Sequence, residues 1–138
     1  MGLFSWLTGN RSRGIRVAAT LPGPGDFAVD VVGESKYQDV IEWAAGGRTR
    51  DGCEKVVDAV LVLEDANPYD PKAVQVLIGG RLCGYLSREN ARTYRKQLKK
   101  TGRPNSTASC KAVIVGGWDR GRDDRGHFGI RLDLPHND

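Results

Sequence analysis

Histidine and cysteine are scarce in this chain, with two and three copies in 138 residues, and what is missing around them narrows its chemistry. Cys53, Cys83 and Cys110 stand far apart, with no Cys-x-x-Cys pair and no histidine close by, so neither a zinc site nor a disulfide framework is indicated. They read as reduced thiols of a cytoplasmic protein, Cys83 being a small buried residue within a strand. His127 lies in a flexible glycine-rich loop beside Asp123 and Asp124, and His136 is near the C-terminus. Neither has the partners that a general base requires. The G-x-S-x-G elbow, the Walker loop, H-E-x-x-H and the dinucleotide glycine pattern are all missing. Asp119, Asp123 and Asp124 alternate with Arg120, Arg122 and Arg125, which weakens any cation site there. The expectation is a binding module that is not an enzyme and carries no metal or cofactor.

Long hydrophobic runs are also missing. The apolar start, Met1 to Leu7, is too short to span a bilayer and no cleavable signal pattern follows it. It fails the myristoylation motif because Trp6 stands where Ser or Thr is required. Leu3, Phe4, Trp6 and Leu7 read either as part of a frayed tail or as a sticky turn for a membrane surface or a partner. The length suits one domain, and a composition of 39% hydrophobic and 28% charged residues is that of a folded chain. Glycine is plentiful, at 18 residues, which favours tight turns between short strands.

Leu21-Pro22-Gly23-Pro24-Gly25 cannot continue a regular element, so residues 1–25 read as a flexible tail, 26–135 as the domain and 136–138 as a frayed end. Phe27 to Val32 reads as a strand closed by Gly33. Gln38 to Ala45 reads as a short helix stopped by Gly46-Gly47. Lys55 to Glu64 puts Val57, Ala59, Leu61 and Leu63 on one face and Val56, Val60 and Val62 on the other, which suits a strand buried on both sides or one bending around a barrel. Ala73 to Ile78 and Arg81 to Leu86 flank Gly79-Gly80, the signature of a tight hairpin. Ser87 caps a helix running to about Lys100, with Ala91, Tyr94 and Leu98 on its inner face. Lys111 to Val115 and Phe128 to Leu134 close the domain. Five or six strands and two helices predict a mainly β fold of the α+β kind, a small partly closed barrel similar to OB or SH3 folds.

Charge is unevenly spread. The formal net charge is +4, yet Arg81, Arg88, Arg92, Arg95, Lys96, Lys99, Lys100 and Arg103 stand against one acid, Glu89, within a single short stretch. Such a basic surface on a slightly acidic body suits phosphate contact, or simply a solvated helix face.

A more specific pattern begins at Glu64-Asp65-Ala66-Asn67-Pro68-Tyr69-Asp70-Pro71-Lys72-Ala73-Val74 and continues through Gly84-Tyr85-Leu86-Ser87-Arg88-Glu89-Asn90-Ala91, preceded by Gly33-Glu34-Ser35-Lys36-Tyr37-Gln38. In this order and spacing the segments resemble the HIRAN domain family, in its stand-alone bacterial type, over roughly Phe27 to Leu134. The resemblance implies an OB-like barrel that binds single-stranded DNA and captures a free 3′-hydroxyl end. It implies that Asn67, Tyr69 and Asp70 surround the terminal nucleotide, that Tyr37 and Tyr85 belong to the same pocket, and that Arg88 meets the phosphate backbone. It further implies work in DNA repair or at replication forks, beside a helicase or nuclease supplied in trans.

The residue types fit that use on their own chemistry. A tyrosine ring offers any base a stacking face, an aspartate accepts from a sugar hydroxyl while opposing a phosphate, and Arg88, Arg92 and Arg95 suit phosphates. Asn-Pro-Tyr-Asp also suits an ordinary type I turn. Glu34 and Asp39 flank Tyr37 and would oppose a polyanion if they faced the same groove. A rival reading is a protein-interaction adaptor using barrel edges and the Leu3 to Leu7 segment. The nucleotide reading stands on one geometric condition: the turn at Asn67 to Asp70 and the helix start at Arg88 must face the same concavity, or no nucleotide bridges them.

Overall fold

The computed structural model describes residues 15–135; the Leu3 to Leu7 segment and His136 lie outside them. The element order is β1 (Ala19–Thr20), β2 (Val29–Val32), a 3-10 turn (Glu34–Lys36), α1 (Gln38–Ala45), β3 (Cys53–Leu63), β4 (Val74–Ile78), β5 (Arg81–Leu86), α2 (Arg88–Lys100), β6 (Ala108–Gly116) and β7 (Phe128–Asp133). Six strands in the order β6-β3-β4-β5-β2-β7 form an antiparallel sheet that β6 and β7 close into a barrel. The fold is thus mainly β with two helices, and the barrel closes fully where a partly closed one was expected.

The short β1 is the seventh strand. It runs parallel to β6, pairing Ala19 with Ala108 and Thr20 with Ser109, just beyond the point where β7 ends against Lys111. The segment assigned to the tail therefore joins the barrel earlier than its prolines and glycines suggested: Leu21 packs on the core and the Gly25 amide donates to Asp133 Oδ1 at 2.8 Å. Edge pairing consumes backbone groups only, so it leaves little periodic signal in the sequence. Strand β2 begins two residues after Phe27, whose φ of 47° is incompatible with an extended chain.

Strand β3 shows how one long element serves a closed barrel. Ala59 and Leu61 are fully buried on the inner face, while Val56 is exposed on the outer one, so it is the bending strand of the two alternatives. Val74, Val76, Ile114, Ile130 and Leu132 point into the same core, and Cys83 is buried among them as a free thiol. Each such aliphatic side chain contributes about 1.5–3 kcal/mol through burial. Helix α2 adds Ala91, Tyr94 and Leu98 to this core. Its start is fixed by Ser87, whose hydroxyl oxygen accepts the Asn90 amide at 3.1 Å, a cap worth about 1 kcal/mol.

Two side chains finish the seam that β2 leaves open on β7. Gln38 exchanges two hydrogen bonds with the Phe128 backbone, accepting from its amide at 2.7 Å and donating to its carbonyl at 3.0 Å. Glu34 Oε2 accepts the Ile130 amide at 2.8 Å. The loop between β6 and β7 is likewise tied down rather than free: the Trp118 indole donates to Asp124 at 3.0 Å, and Arg48 donates to the Gly126 carbonyl at 2.7 Å.

Candidate nucleic-acid interface

Three connections meet beside the end of β5. Strand pairing brings them together: Tyr85 lies opposite Val32 of β2 and opposite Gln75 of β4, so the β2–α1 connection and the β3–β4 turn flank the place where β5 passes into α2. Between them lies a concavity of about 530 Å³ lined by Tyr37, Asn67, Tyr69, Asp70, Tyr85 and Arg88, together with Gly33, Lys36 and Glu64. Six of the seven residues singled out from the sequence thus line one cavity. The seventh, Arg92, stands behind its wall.

The turn owes its shape to internal hydrogen bonds. Asn67 Oδ1 accepts the amides of Tyr69 and Asp70 at 2.8 and 2.9 Å, and Asn67 Nδ2 donates to Glu64 Oε1 at 2.9 Å. This is the side-chain turn chemistry that Asn supplies best. Across its base the Glu64 amide donates to the Ala73 carbonyl at 2.9 Å. Asn67 is accordingly a builder of the turn, with its acceptor oxygen already doubly used.

Two arginines of α2 hold the turn from outside. Arg92 donates to both oxygens of the buried Asp70 carboxylate at 3.1 Å. Arg95 donates to the carbonyls of Lys72 and Ala73 at 2.8 and 2.9 Å and pairs with Asp65 at 2.8 Å, leaving its side chain only 14% exposed. Arg95 is therefore a clamp on the turn, a use that neither its charge nor its helical position reveals. Arg88 differs: its side chain is 72% exposed, and its Nε is 3.9 Å from Asp70 Oδ2, at the limit of an ion pair.

Asp70 has a carboxyl whose pKa is shifted by its partners. The Arg92 hydrogen bonds, then the Lys72 amide, hold its carboxyl below the usual aspartate value despite burial that acts the other way. Oδ1 accepts from Lys72 and Arg92, whereas Oδ2 accepts from Arg92 and keeps a lone pair beside Arg88. Tyr85 is half-buried, and burial, followed by the Glu64 charge, raises its hydroxyl above the ordinary tyrosine value. Tyr37 packs partly on the core, while Tyr69 is 88% exposed with its ring free on the rim.

Neither Glu34 nor Asp39 lines the cavity. The Glu34 carboxylate turns to β7, where burial raises its pKa, and Asp39 accepts the Val40 amide. Lys36 and Glu64 were missed by sequence reasoning. Their one signal was adjacency, Lys36 to Tyr37 and Glu64 to the turn, and adjacency does not say which way a side chain points. Chemically, the cavity offers three aromatic walls, two cations at its mouth and a carboxylate oxygen with spare acceptor capacity.

No family model matches the chain, and neither does any curated protein or solved structure.

Proposed function

We propose that this chain is a HIRAN-like module that grips the 3′-hydroxyl end of single-stranded DNA. The observation that carries the reading is the 3.9 Å approach of Arg88 to Asp70 within the tyrosine-lined cavity, because it lets one nucleotide reach a hydroxyl acceptor and a phosphate partner together. Tyr69 stacks on a base, a contact worth about 1–3 kcal/mol and indifferent to sequence. Tyr37 and Tyr85 wall the sugar. Asp70 Oδ2 accepts from the 3′-hydroxyl and repels a phosphate in that position, while Arg88 and Lys36 meet the phosphate on the 5′ side. Arg92 and Arg95 act through the turn they hold. The module serves repair or fork processing in the cytoplasm, beside a helicase or nuclease in trans, with no catalysis of its own.

The adaptor reading draws less support, since a closed barrel leaves short edges and Glu34 and Gln38 cover part of β7. Fluorescence anisotropy with oligonucleotides ending in 3′-hydroxyl or 3′-phosphate separates the two. Tighter binding of the hydroxyl end is expected. Equal affinity for both ends removes end capture, and no affinity at low salt leaves the adaptor.

A further inference from the structure

We infer that the strand leaving the end-binding cavity runs along the seam between α2 and the 70–72 turn to a second, cationic hollow at the far end of the helix. The inference rests on the proposed binding of a single strand and adds its path and footprint. Arg88, Arg92, Arg95 and Lys99 recur every three or four residues, so they form one stripe on α2. The stripe starts at the cavity, where Arg88 is a wall residue, and ends at a hollow of about 150 Å³ lined by Leu63, Lys72, Arg95, Leu98, Lys99, Pro104 and Asn105. Asn105 adopts a φ of 66°, the left-handed conformation that Asn tolerates better than most residues.

Ion pairing divides the stripe by function. Its middle is neutralised, because Arg92 is bound to Asp70 and Arg95 to Asp65. Its two ends keep surplus charge: Arg88 is 72% exposed and only reaches, at 3.9 Å, the Asp70 carboxylate that Arg92 already binds, and among the described residues no ion pair holds Lys72 or Lys99. The free positive charge therefore sits where a strand would enter and leave the seam, with the clamped arginines as a rigid floor between. From Arg88 to Lys99 the helix rises about 16 Å. At about 3.4 Å per stacked nucleotide of one strand, that is room for about five nucleotides, and fewer if extended. The 3′ end occupies the cavity, so the 5′ portion follows the helix.

The test measures binding of oligothymidylates from two to eight nucleotides, all with free 3′-hydroxyls, to the full chain and to Lys72→Gln/Lys99→Gln. Both lysine side chains are exposed, so the variant should keep the wild-type melting temperature. Affinity is expected to rise at least tenfold from the dinucleotide to about the pentanucleotide and then level off. In the variant that rise should largely vanish while dinucleotide binding is unchanged, and the salt slope for the hexanucleotide should fall by about 1.4, two phosphates' worth. A length-independent affinity, or a variant that weakens short and long strands equally, overturns the path and leaves end capture standing. Failure to bind at any length overturns end capture itself, and the path with it.

Discussion

Arg92 closes on Asp70 with two parallel hydrogen bonds of 3.1 Å, so the carboxylate at the heart of the cavity is held by a residue that does not line it. The pair joins the first turn-and-a-half of α2 to the β3–β4 turn. Arg92→Lys should not rescue what Arg92→Ala loses, because an ammonium cannot serve both oxygens in the forked geometry. In a double-mutant cycle with Asp70→Asn, the losses in melting temperature should be clearly less than additive. Additive losses would show the pair to be uncoupled.

The same pair sets a pH dependence. A carboxyl whose folded pKa lies below its unfolded one contributes stability above about pH 4 and loses it as pH falls through the folded value. The stability gap between wild type and Arg92→Ala should accordingly be flat from pH 7 to 5 and narrow below about pH 4. Urea titrations across that range read it directly. A gap still undiminished at pH 3 would contradict the assignment.

Tyr69 and Asn67 are close neighbours with opposite expected behaviour. Tyr69→Ala should weaken oligonucleotide binding by about 5- to 150-fold, the equivalent of about 1–3 kcal/mol, with little change in melting temperature, since its ring is almost wholly exposed. Asn67→Ala should cost about 1–3 kcal/mol of folding stability, because two turn amides lose their acceptor. Anisotropy and thermal melts on both variants separate ligand contact from scaffold.

Gly84 is required by packing rather than by backbone conformation. A Cβ there would collide with Val31 Cγ1 and lie 2.9 Å from the Val32 carbonyl oxygen, where β2 meets β5. Gly84→Ala should destabilise by about 1–3 kcal/mol and loosen the cavity wall at Tyr85. Denaturant unfolding gives the first effect, and weaker oligonucleotide binding gives the second. A neutral variant would mean that β2 can retreat at no cost.

Much of the fold was legible because its signals are local. Gln38–Ala45 matches its sequence reading in both bounds, with Gly46 in the left-handed conformation that stops it. The Gly79-Gly80 hairpin and the Ser87 cap also appear where their residue types placed them. Strand β6 begins three residues before Lys111, because Ala108 and Ser109 are held by partners distant in sequence, Val60 and Leu61 on one side and β1 on the other. The candidate site was legible as a set of residues and much less so as a set of roles. Arg92 and Arg95 look like Arg88 in the sequence, and only their acceptors distinguish a clamp from an exposed cation.

What the chain determines by itself is which residues favour turns, caps, strands and helix faces, since these follow from φ preferences and side-chain periodicity over a few neighbours. Tertiary structure decides the closure of the barrel, the docking of Ala19–Thr20, and the pairing of Arg92 with Asp70 rather than with solvent. Those outcomes depend on which distant backbone edges and charges come within about 3 Å of each other, and hydrogen bonds weaken steeply beyond that range.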